Sequence, residues 1–142
     1  MLGEGGAGGA GTQPVNLSVG ETVRVGNSGS GTLYVTAGGV VSNDVGNIGD
    51  ESGSTGAATV TGAGSKWTNS GSLNVGRKGG GTLNIETSGL VTVGGTTSIG
   101  ATGTVNLTGG RFEFGQTTFA EFSTMNAASG AMAGNVVITG VH

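Results

Sequence analysis

The 142-residue sequence predicts an all-β fold: a parallel β-helix (β-solenoid) of about four to five coils, each of roughly 25 residues with three short strands. Three observations carry this expectation. A β-branched residue followed by Gly returns at Val25-Gly26, Ile48-Gly49, Val75-Gly76 and Ile99-Gly100, at intervals of 23, 27 and 24 residues. A Thr followed by apolar residues returns between them, at Thr32-Leu33-x-Val35, Thr59-Val60, Thr82-Leu83-x-Ile85 and Thr104-Val105-x-Leu107. Glycine clusters (AGG, SGSG, GAG, KGGG, TGG) separate the runs.

Each part of the unit has a physical reason. In Leu33/Val35, Leu73/Val75, Leu83/Ile85, Val105/Leu107 and Phe112/Phe114 apolar and polar residues alternate, the period of a strand with one buried side. The glycine clusters supply corners, because Gly takes the positive φ angles that tight turns need. Helices are not expected between positions 15 and 115, where no 3.6-residue spacing is sustained and each Gly costs a helix about 1 kcal/mol. An antiparallel meander also accepts short strands and glycine corners, but it does not require the same residues to return. In a solenoid each rung lies about 4.8 Å above its copy and inherits its surroundings. The coil therefore places Leu33 over Leu83 and Val35 over Ile85, with Val60 and Leu107 on the intervening rungs. The pair VNLS (15–18) and VNLT (105–108) indicates part of another copy ahead of Gly26. The chain divides into a Gly-rich N-terminal segment (1–14), solenoid repeats (15–114) and a C-terminal cap or terminal coil (115–142), with a short helical turn expected ahead of a strand from Val136 to Ile138.

Composition narrows the function. Thirty-four glycines at random would read as disorder, whereas here they fall at a period. Charged residues are 9% of the chain, the net charge is −3 and the few Lys and Arg are scattered, so there is no basic face for nucleic acid. With no Cys, disulfides, thiolate metal sites and thiol nucleophiles are excluded. No apolar run approaches the roughly 20 residues that cross a bilayer, and MLGEGGAGGAG carries no basic or hydrophobic leader, so neither membrane insertion nor a visible export signal is expected.

Catalytic chemistry is not expected, nor is a cofactor or metal. Of the eight acids, Asp44, Asp50 and Glu51 are the nearest group, read as solvated corner residues, with weak Ca²⁺ binding as the alternative. His142 is the only histidine and the last residue, so no triad can be built around it. GEGGAG (3–8) matches a dinucleotide fingerprint without its strand and helix, and GRKGGGT lacks the ending of a phosphate loop. Trp67 is expected to fill the interior of the coil rather than stack on a sugar. Phe112, Phe114, Phe119 and Phe122 gather where the repeat fades and are expected to plug the core. Thr32, Thr59, Thr82 and Thr104 form a single file without the paired Thr-x-Thr of an ice-binding plane. Asn16-Leu-Ser18 and Asn106-Leu-Thr108 match the glycosylation acceptor spacing.

From Val60 to Val93 the chain reads VTGAGSKWTNSGSLNVGRKGGGTLNIETSGLVTV. This stretch resembles the repeat of autotransporter (type V secretion) passengers and of PEP-CTERM-associated surface proteins, in its Val-x-Gly-x-Gly-Ser-x-Trp start, its Ser-Gly-x-Leu-x-Val-Gly middle and its Gly-Thr-Leu-x-Ile end. The likeness extends over about residues 23 to 114. It implies a right-handed parallel β-helix, a bacterial source and an exported location. No outer-membrane barrel or Pro-Glu-Pro sorting segment follows, so the expectation is either a piece of a long passenger or a small free-standing relative.

The functional expectation is a non-enzymatic structural protein of the bacterial cell surface or extracellular matrix, a rigid solenoid acting in adhesion and self-association. Its partner is itself, end to end or laterally, or a host or cell-surface ligand. A filament subunit is the alternative, with Val15 and Leu17 at one end and Val136 and Ile138 at the other as the joint, because both ends of an open solenoid present unpaired backbone. A polysaccharide-active enzyme is the outside alternative.

Overall fold

The computed structural model describes residues 16–119 and 123–138. The strands are β1 (Asn16–Ser18), β2 (Thr22–Val25), β3 (Ser30–Val35), β4 (Val40–Asn43), β5 (Val45–Ile48), β6 (Thr55–Thr61), β7 (Lys66–Asn69), β8 (Leu73–Val75), β9 (Gly80–Glu86), β10 (Leu90–Ile99), β11 (Gly103–Phe119) and β12 (Thr124–Ile138). Every pairing among them is parallel, and the described residues contain no helix. The chain is a β-solenoid of about 5 turns, as the repeat requires.

Three faces follow from the register. β1, β4, β7, the start of β10, residues 111–114 of β11 and residues 131–133 of β12 stack on the first. β2, β5, β8, the end of β10 and the end of β11 stack on the second. β3, β6, β9, the start of β11 and the start of β12 stack on the third. Alternation then sends every second side chain inward. On the third face the inward files are Leu33, Ala58, Leu83, Val105 and Val35, Val60, Ile85, Leu107, all buried. Leu33 and Leu83 thus share one file, with Ala58 on the rung between them.

The register corrects two details. Thr59 is not in file with Thr32, Thr82 and Thr104, because Ala57 holds that slot and Thr59 pairs with Tyr34 and Asn84. A slip of two residues keeps every side chain on its own face, so apolar alternation alone cannot detect it. The strands are also not all short. In the last coils the corners open, β10 runs for 10 residues, β11 for 17 and β12 for 15, with bulges where the corners had been. The coil shortens at the same time. Rung-to-rung side-chain bonds span 25 residues from Thr59 to Asn84, 22 from Asn84 to Asn106 and 20 from Asn106 to Asn126. The expected helical turn in the tail is absent from the described residues, where Thr124 to Ile138 is strand paired to β11. The edge of β11 offers a full row of backbone partners, and a helix there would leave them open.

The corner after β2, β5 and β8 carries the Val-Gly and Ile-Gly steps, with φ of 75° at Gly26, 71° at Gly49 and 71° at Gly76. Inside, one residue sets the packing of its neighbours. Trp67 is 0% exposed, and its indole N–H donates to Asn43 Oδ1 at 2.6 Å, while Asn43 Nδ2 donates to Asn69 Oδ1 at 2.8 Å. Gly46 makes room for it, since a Cβ there would stand 3.0 Å from the Trp67 ring and 2.5 Å from Asn69 Oδ1. Trp67 therefore fills the interior as expected. Two rungs above Trp67, Phe112 and Phe114 of β11 are buried side by side, their ring centroids 4.8 Å apart and tilted by 54°. Phe122 lies outside the described residues, and Phe119 closes β11.

Candidate functional site

Three places were candidates for chemistry: the acids of one corner, the outer faces of the coil, and its ends. The corner holds a charge cluster that the sequence reading treated as solvated. Asp50 follows Gly49, and its side chain is only 4% exposed. Its Oδ2 accepts from Arg24 Nε at 3.2 Å and its Oδ1 from Arg77 Nη1 at 2.8 Å. Asp50 is buried and not solvated because Arg77 stands one coil above it, also directly after a Gly, and Arg24 points outward on the strand of the coil below. Each of the two carboxylate oxygens thus holds one guanidinium N–H. The hydrogen bond to Asp50, with the carboxylate charge behind it, raises Arg77 above the ordinary guanidinium pKa.

Beside this cluster, Glu51 pairs with Lys78 at 3.7 Å on the surface, and Asp44 accepts from the Ser70 hydroxyl at 3.2 Å. Among the described residues no three His, Cys, Asp or Glu side chains converge to hold a metal ion. The repeat could have revealed the cluster. Ile48-Gly49-Asp50 and Val75-Gly76-Arg77 are equivalent in the unit, so opposite charges at the third position face each other across one rung.

Replacing Asp50 with Ala removes a buried carboxylate with two charge-assisted hydrogen bonds and is expected to lower stability by about 2 kcal/mol. Urea unfolding followed by circular dichroism measures it. An unchanged midpoint would mean that the two arginines do as well in water.

The outer faces carry polar files. On the third face Asn126 donates to Asn106, Asn106 to Asn84 at 2.8 Å each, and Asn84 to Thr59 at 3.3 Å. These amides bond along the coil axis and tie each rung to the next. Asn106, part of a glycosylation-type triplet, is one link of that ladder.

Among the described residues β12 lies at the upper end of the stack and pairs with β11 alone, and its residues from Ala127 to Gly134 are exposed. Met132 follows Trp67, Val91 and Phe112 in an inward file, yet it is 44% exposed because no further described coil lies over it. At the lower end, among the described residues, β1, β2 and β3 each pair only upward, and Leu17 is partly buried against the core. Of the residues expected at the joint, Leu17 lies on β1 and Val136 and Ile138 lie on β12, opposite Thr117 and Phe119; Val15 is outside the described residues, as is His142.

Fold and surface together define a class, the β-solenoid repeat protein. Comparison with protein-family models, with curated proteins and with solved structures finds no match. The functional reading therefore rests on the geometry of the coil.

Proposed function

We propose that this chain is a non-enzymatic structural protein of the bacterial cell surface or extracellular matrix, a stiff rod that lengthens by joining end to end. The observation that carries the reading is β12. Its sequence, TMNAASGAMAGNVVI, holds no charged residue and no proline in 15 positions. Edge strands that must stay single are usually blocked by a charge, a proline or a short length. β12 has none of these and, among the described residues, pairs on one side only. The two large hydrophobic residues left exposed among the described residues, Tyr34 at 51% and Met132 at 44%, belong to the first and last coils. A second copy docking its β1–β3 edge onto β12 would continue the backbone ladder and cover Met132. Such a contact joins two different surfaces, so it does not close on itself and produces filaments. The resemblance to passenger repeats supports an exported, adhesive setting for the same rod.

Assembly of the purified chain tests this. Negative-stain microscopy and sedimentation are expected to show filaments that grow with protein concentration. Met132→Lys and Leu17→Asp, one at each end, should each leave single particles while far-ultraviolet circular dichroism stays unchanged. Particles that remain single at every concentration, or filaments that survive both substitutions, would refute the joint.

A further inference from the structure

The second face carries a cleft that the rod function does not use. It has a volume of about 170 Å³ and is lined by Asn74, Arg77, Ser98, Ile99, Gly100 and Thr118. Pockets for drug-sized molecules run from about 300 to 1,000 Å³, so this one has room for a single sugar ring. Three features give it a chemical preference. Asn74, Ser98 and Thr118 are register partners on successive rungs, a vertical file of one amide and two hydroxyls at a spacing of about 4.8 Å. Arg77 stands at the cleft with its side chain 51% exposed. Its planar guanidinium has five N–H donors, of which Nη1 serves Asp50, and the fork geometry suits a carboxylate. The space above it stays open because the chain supplies Gly100 and Ala101 where the coil below has Gly76 and Arg77.

Charge agrees with this. The chain is acidic overall, at −3, but the charged residue in the cleft lining is a cation, Arg77, and no carboxylate is among the lining residues. Asp50 fixes Arg77 in place, so the guanidinium loses little freedom when it binds. Hydroxyls and an amide beside a held guanidinium match a sugar ring that carries a carboxylate, which needs both hydroxyl partners and a cation.

We propose that the cleft over Arg77 binds an acidic polysaccharide through one uronate residue, with the carboxylate on Arg77 and the ring hydroxyls on Asn74, Ser98 and Thr118. A single such subsite binds weakly. Rods that repeat it along a polymer gain through multivalency.

Titrating the whole isotope-labelled chain with a short oligogalacturonate tests the assignment by nuclear magnetic resonance. Saturable shifts are expected at the amides of Asn74, Ser98, Gly100 and Thr118. A neutral galacto-oligosaccharide and inorganic phosphate at the same concentration should each bind at least about tenfold more weakly, since each lacks one half of the recognition. Arg77→Gln should weaken oligogalacturonate binding by about tenfold or more, with Arg77→Lys falling between. Ser98→Tyr fills the cleft from an exposed position and leaves the Asp50 cluster intact; the same loss there separates blocking of the cleft from any disturbance of the corner. Shifts that miss these four amides, a Ser98→Tyr variant that binds like the parent, or a neutral sugar that binds equally well would overturn the site. Phosphate binding as tightly as the uronate would overturn its assignment to a sugar.

Discussion

Trp67→Ala is expected to lower the unfolding free energy by about 3–5 kcal/mol, the range for deleting a large aromatic side chain from a packed interior. Two costs combine. Trp67 is 0% exposed and its ring rests where Gly46 has no side chain, so the hole it leaves is bordered by strand backbone that cannot collapse without breaking the ladders of β4, β7 and β10. The indole N–H also donates to Asn43 Oδ1, and Asn43 in turn donates to Asn69. Without the indole, a buried carbonyl is left without its partner, at about 1–3 kcal/mol. Trp67→Phe separates the contributions, because it keeps most of the ring volume and loses only the donor. Urea unfolding monitored by circular dichroism is the measurement. A cost below about 1 kcal/mol for the alanine variant would contradict the packing described for this coil.

Gly49→Ala is expected to lower stability by about 3 kcal/mol, as backbone strain and steric overlap add. At φ of 71° a side chain is disfavoured in any setting. The added Cβ would also run into the carbonyl of Gly80 on the next coil, an atom of strand backbone and not the end of a flexible side chain. Gly53 provides the control. Its φ is 82°, but a Cβ there meets nothing within 4 Å. Gly53→Ala should therefore show the conformational cost alone, about 1 kcal/mol, and the difference between the two variants measures how tightly the coils stack. Equal effects at both positions would mean that the coils can part at Gly49 without penalty.

The architecture was legible because a solenoid writes itself into the sequence more than once. Each of Leu33, Leu83 and Val105 meets the environment of its copy, so the same residue class returns, and the Val-Gly and Ile-Gly steps at Gly26, Gly49 and Gly76 mark the same corner on successive turns. The chemistry that selects these residues is local: apolar side chains alternate along a strand, and Gly takes the positive φ of the corner after β2, β5 and β8 most readily.

What the sequence left open depends on which atoms meet across a rung. Thr32 and Thr59 look equivalent when read along the chain, yet a shift of two residues separates them, and only the backbone pairing of β3 with β6 reveals it. Asp50 reads as a corner acid in water because its two arginines lie 26 and 27 residues away, and burial by partners so distant has no local trace. The exposed state of Met132 is likewise a property of position in the stack, since Phe112 in the same file one coil below is buried. Sequence alone determined the coil, its corners and the direction of its side chains, through local sterics and periodic burial. The stacked structure decided the register, the Asp50 cluster and the exposure of Met132, because each depends on contacts between residues a full turn apart.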